Sequence, residues 1–100
     1  ARVRGAMGFA MRAGKCIAGD FACERAVKRG GARLVLLDAA ASGATQERYF
    51  GMCERAGLPC FTVADLGRAI GKDGRMVAAV TDERFAQMIR DAYASDKNAN

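Results

Sequence analysis

Apolar residues at Val3, Met7, Ala10 and Met11 recur at the spacing of one helical face, with Phe9 and Ala13 beside them and Gly14 as a stop. Gly5 and Gly8 fall inside this predicted helix at about 1 kcal/mol each relative to Ala, which implies close backbone packing there or a loosely held first turn. "KCIA" reads as a short strand. The following stretch, GDFACERAVKRG at 19–30, reads as a capped helix. Asp20 can accept backbone N–H bonds at its start, Gly30 can end it, and Ala22, Cys23, Ala26 and Val27 share a core-facing stripe.

"ARLVLL", 32–37, is a continuous apolar run, the pattern of a strand covered on both faces. Ser42 or Thr45 can cap a third helix carrying Tyr49, Cys53 and Ala56, with Gly57 as its stop. "PCFTVA" predicts a third strand, "DLGRAIG" a short helix ended by Gly71, "KDG" a turn and "RMVAAV" a fourth strand. Thr81 or Asp82 caps a last helix whose stripe of Phe85, Met88, Ile89, Ala92 and Tyr93 follows the i, i+3, i+4, i+7, i+8 rule. Strands alternate with helices over short connections. The expected fold is α/β, a three-layer α/β/α sandwich around a four-stranded mixed sheet. It fills one domain, 1–94, and leaves a flexible tail at 95–100 that should fray.

Charge sharpens this picture by position more than by total. Residues 1–33 hold eight basic side chains (Arg2, Arg4, Arg12, Lys15, Arg25, Lys28, Arg29 and Arg33) against Asp20 and Glu24, a net +6. The remaining residues hold eight basic against nine acidic, so the whole surplus of +5 comes from the first third. Such asymmetry suggests a polyanionic partner, nucleic acid being the commonest, against the plainer reading of a solvated basic surface. No apolar run approaches bilayer length and no charged-then-apolar leader is read here. The expected location is therefore the cytoplasm, with no membrane partner.

Catalytic and metal signals are weak. The chain has no His, and GxSxG, HExxH and GxGxxG are all missing from it. "GRAIGKD" has three rather than four residues between its glycines and Asp73 after the Lys, so it is not a phosphate-binding P-loop. Cys16, Cys23, Cys53 and Cys60 are separated by six, twenty-nine and six residues, without a CxxC pair. They read as buried reduced thiols rather than metal ligands. Cys23, near a helix start with Arg25 close by, is the least implausible reactive thiol. Asp38, at a strand end, reads as a solvated carboxylate. No enzymatic activity, cofactor or metal is expected.

Taken together, "GFAMRAGKCIAGDFACERAVKRGGARLVLL" and "LGRAIGKDGRMVAAVTDERFA" resemble the bacterial YlxQ-type family. That family lies within the kink-turn RNA-binding superfamily, with archaeal ribosomal protein seven-Ae, eukaryotic thirty-e and Gadd-type proteins. The resemblance covers roughly residues 5 to 92. It implies an α/β/α sandwich that binds RNA through two elements: the start of the second helix with the residues before it, and the loop ahead of the last strand. In this sequence the first is Lys15, Gly19, Asp20, Phe21, Ala22, Arg25, Lys28 and Arg29. The second is Gly71, Lys72, Asp73, Gly74, Arg75 and Met76. Lys72 and Arg75 are expected to join the first group in one patch.

The resemblance also shows a departure. Family members that read kink-turns carry Asn-Glu in the first turn of this helix and Lys three residues on, and hydrogen-bond the guanines of sheared G·A pairs. Here Phe21, Ala22 and Arg25 stand at those positions. Arg25 keeps the charge, but Phe21 and Ala22 cannot make the polar contacts. Phe21 is then either a ring packed on a neighbouring element or an exposed platform for a splayed base. The expected function is a small, monomeric, non-enzymatic RNA-binding protein, ribosome-associated or bound to other structured RNA. The alternatives are a protein-interaction module of the same fold, or the RNA-recognition domain of an RNA-modifying enzyme.

Overall fold

The computed structural model describes residues 2–98. The order is α1 (Arg2–Arg12), β1 (Cys16–Ala18), α2 (Asp20–Arg29), β2 (Leu34–Asp38), α3 (Gly43–Ala56), β3 (Cys60–Val63), α4 (Leu66–Ala69), β4 (Val77–Val80) and α5 (Glu83–Asn98). The strands lie in the order β1-β4-β2-β3, with β4 antiparallel to β1 and β2, and β3 parallel to β2. The sheet is therefore four-stranded and mixed, as the alternation of elements implied.

Every residue of β2 is buried, because the strand is covered from both sides. Leu34 and Leu36 face α1, α4 and α5 through Met7, Leu66 and Ile89. Val35 and Leu37 face α2 and α3 through Cys23, Val27, Tyr49 and Cys53. Alternation along one strand thus feeds two separate apolar clusters, which is what makes three layers.

The helix boundaries follow local chemistry. Ser42 Oγ accepts from the Thr45 N–H (3.1 Å) at the start of α3, and Asp82 Oδ1 accepts from the N–H groups of Arg84 and Phe85 at the start of α5. Gly30 and Gly57 close α2 and α3 in the left-handed conformation that favours glycine. Of the two glycines inside α1, only Gly8 is a packing glycine: a Cβ there would lie 3.0 Å from the Ala69 carbonyl, whereas Gly5 faces open space.

At the far end of the chain, residues 95–98 continue α5, and Asp96 accepts from the backbone N–H groups of Arg2 and Val3 (both 2.9 Å). A carboxylate on α5 therefore caps the start of α1, which ties the last turn down. Residues 99 and 100 of the expected tail lie outside the described residues. Among the described residues, no helix is long and apolar enough to cross a membrane.

Candidate functional site

Strand direction sorts the loops. β1, β2 and β3 all end, and β4 begins, at the same edge of the sheet. That edge collects the start of α2, the turn after β2, the start of α4 and the 71–76 loop. It brings two of the expected elements together: a Cβ on Gly19 would lie 3.0 Å from a guanidinium nitrogen of Arg75. Gly19, Asp20, Gly74, Arg75 and Met76 line one shallow depression there.

The loop is held to this edge by close backbone contacts. The Lys72 N–H donates to the Gly67 carbonyl (2.8 Å), and the Asp38 N–H donates to the Met76 carbonyl (2.8 Å). Gly67 permits the approach, since a Cβ at that position would sit 2.6 Å from the Lys72 carbonyl oxygen. Asp38 is not the solvated carboxylate expected of it. It is 7% exposed, and its carboxylate accepts from the N–H groups of Ala40 (2.7 Å) and Leu66 (2.9 Å). It serves as a structural anchor for the turn after β2 and the start of α4.

Asp20 also departs from expectation. No side chain caps α2, and its first intrahelical bond runs from the Cys23 N–H to the Gly19 carbonyl (3.0 Å). The N–H groups of Asp20, Phe21 and Ala22 lie ahead of that bond, at the positive end of the helix dipole. The Asp20 carboxylate is drawn sideways to α3, where it accepts from the Tyr49 hydroxyl (2.6 Å) and Arg48 Nη2 (2.7 Å). These two bonds, Tyr49's first, hold the Asp20 carboxyl below its usual range. Burial, with Asp20's charge nearby, pushes the Tyr49 phenol up. Arg48 Nη1 meanwhile holds Glu24 (2.7 Å), and Glu24 in turn holds Lys28 (2.8 Å).

The expected single patch therefore divides. Lys15 does not join the edge that carries Arg75: its carbonyl accepts from the Thr81 N–H (2.9 Å) at the opposite edge, about 13 Å along β1 from Gly19. Arg29 lies in the last turn of α2, also toward that far edge. Lys28 is committed to Glu24. Arg25 lies between the two ends, its guanidinium carbon 5.5 Å from the centre of the Phe21 ring. The Lys72 backbone belongs to the loop beside Gly67, on the Arg75 side.

Among the described residues no cluster of ligating side chains could hold a metal ion. Cys23 is fully buried against the sheet, its Sγ donating to the Ile17 carbonyl (3.7 Å). Burial pushes its thiol up to about 12, which disfavours the thiolate at the least implausible reactive cysteine of the sequence.

No family model matches the chain. It is 37% identical over 86 aligned residues to the RNA-binding protein YlxQ of Bacillus subtilis, an alignment that covers 83% of this chain and 86% of that protein. The chain belongs to the YlxQ family. A protein of unknown function from Bacillus halodurans superposes with a TM-score of 0.89 at 30% identity, over 94% of this chain and 98% of its own. The Giardia lamblia 15.5kD RNA binding protein superposes with a TM-score of 0.76 over 96% of this chain and 85% of its own. At 19% identity it shows a shared fold alone.

Within this YlxQ family member, sequence reasoning missed Arg48 and Tyr49 as partners of the α2 start. Both stand on α3, 28 and 29 positions from Asp20, and nothing in their local pattern marks the pairing. The one available signal was Tyr49 itself, a fully buried phenol that needs a hydrogen-bond partner.

Proposed function

We propose that this chain is a small RNA-binding protein, without chemistry of its own, that docks a structured, kink-turn-like RNA at the α2 start and the 71–76 loop. In this reading it works in the cytoplasm as a monomer, on ribosomal or other structured RNA. The curated relative's name and the basic first third of the chain support an RNA partner. The observation that carries the docking mode is Arg75 seated against Gly19, which sets a guanidinium beside the unbonded N–H groups of a helix start.

A phosphate oxygen at that point would accept from the N–H groups of Phe21 or Ala22 and meet the Arg75 charge at the same time. Lys72 adds charge from the same loop. Met76, partly exposed at the loop's end, offers an apolar surface to an unstacked base. Such contacts position a bent backbone more than they read its sequence.

Filter-binding titrations against a kink-turn RNA and a plain duplex, each across a salt series, test this. The kink-turn is expected to bind more tightly. Arg75→Ala should weaken that binding and lower the salt slope by about one. Equal, barely detectable binding to both RNAs at low salt overturns the proposal and favours a protein partner on the same fold.

A further inference from the structure

Phe21 is 76% exposed, and its ring does not stand alone. It stands at the head of a groove of about 480 Å³ between the outer face of α2 and the edge strand β1. Ile17 and Thr81 form the sheet side of the groove, and Ala22, Arg25 and Arg29 the helix side. The lining is mostly apolar and includes no acidic residue. Arg25 and Arg29 form no ion pair among the described residues.

We infer that this groove is a second RNA subsite, one that takes an unpaired single-stranded stretch and stacks one of its bases on Phe21. The inference rests on the RNA-binding reading above and extends it away from the helix start. Arg25 stands over one face of the ring, and the ring's exposure leaves room for a base as a second layer. A ring flanked by a guanidinium is a strong, sequence-tolerant stacking surface. Arg29 lies one turn beyond, where the backbone of the next nucleotide needs a counter-charge. From Phe21 to Arg29 the helix runs about 12 Å, toward the edge where Lys15 sits. The groove thus gives a common purpose to the cations that the fold separates from Arg75.

A peptide strand added to β1 fits these observations less well. β1 is three residues long, too short an edge to template a stable ladder, and the groove's charge calls for a polyanion.

The test uses three proteins: wild type, Phe21→Ala and Phe21→Trp. The chain contains no Trp, so an indole introduced here and excited beyond tyrosine absorption reports from this site alone. The probes are a single-stranded octa-adenylate, a kink-turn RNA without overhangs, and polyglutamate. Octa-adenylate is expected to quench the indole and polyglutamate is not. Phe21→Ala should weaken octa-adenylate binding about fivefold to a hundredfold, clearly more than it changes kink-turn affinity. Arg29→Gln should lower the salt slope for octa-adenylate by about 0.7.

An unquenched indole, together with unchanged octa-adenylate binding by Phe21→Ala, overturns the inference. Equal weakening of both RNAs also overturns it, because the Phe21 ring would then serve the structured-RNA dock alone and no separate single-strand subsite. Quenching by polyglutamate alone overturns it in favour of an acidic peptide. Octa-adenylate quenching without any kink-turn binding sustains the groove and removes the docking mode proposed above. If neither RNA binds, both proposals fall.

Discussion

The Tyr49 hydroxyl donates to Asp20 Oδ1 at 2.6 Å, joining α3 to the first turn of α2 across 29 positions of sequence. Tyr49 is fully buried, so its polar atom has this partner in place of water. The bond fixes where the α2 start points, and with it Gly19, Phe21 and the helix N–H groups. Tyr49→Phe should cost about 1–2 kcal/mol, lowering Tm by roughly 4–8 °C per kcal/mol for a chain of this size. Thermal unfolding by circular dichroism measures it; an unchanged Tm would mean the bond does not organise the junction.

The same junction predicts a pH effect. The Asp20 carboxyl is held below its usual value by Tyr49 and then Arg48. A depressed folded-state value means the stabilisation is complete above the unfolded value, about 3.9, and is lost as pH falls through the folded one. Asp20's side chain is more than half exposed, so solvent screening keeps the effect below about 1 kcal/mol. Urea titrations between pH 6 and pH 2 should show wild type losing more stability than Asp20→Asn. Parallel curves for the two proteins would contradict this.

Gly67 tests whether the loop's position matters. A Cβ there would meet the Lys72 carbonyl at 2.6 Å and the Gly74 N–H nitrogen at 3.1 Å, both backbone atoms that cannot rotate aside. Gly67→Ala must push the 71–76 loop outward, at about 1–3 kcal/mol, and so separate Arg75 from Gly19. Kink-turn affinity should fall more than stability alone explains, in titrations run well below the variant's Tm. Unaltered affinity in a destabilised variant would place recognition elsewhere.

Phe21 and Ala22 are both exposed, so the pair can be replaced without disturbing the core. The double change Phe21→Asn, Ala22→Glu restores the polar pair that kink-turn readers carry. It should tighten kink-turn binding about tenfold or more and weaken octa-adenylate binding. Gel-shift titrations with both probes measure the exchange. No gain on the kink-turn would show that this surface does not face the G·A pairs.

The buried thiols should be silent. Burial pushes Cys16 up to about 11 and Cys23 up to about 12, so neither holds much thiolate at pH 8. Iodoacetamide followed by mass spectrometry should find both unlabelled in the native protein and labelled in denaturant. Native labelling of Cys23 at the rate of a free thiol would mean that α2 lifts off the sheet.

What the chain's own pattern determined was everything governed by neighbours within a turn or a strand. The apolar run of β2, the helical period of α5, the glycine stops and the short choice of caps (Ser42 or Thr45, Thr81 or Asp82) all depend on residues a few positions apart and were legible, although Met88 of the expected α5 stripe is exposed and Ala86 is buried in its stead. The three layers followed from alternation alone. What only the tertiary structure decided depends on strand order. β4 inserts between β1 and β2, which puts the 71–76 loop beside Gly19 and leaves Lys15 at the other edge next to Thr81. The same packing turns Asp20 from a cap into a partner of Tyr49, and Asp38 from a solvated group into a buried anchor for Leu66. Local periodicity carries no record of which distant segment arrives to satisfy a carboxylate. That choice is made when the layers close and each buried polar group takes the nearest available donor.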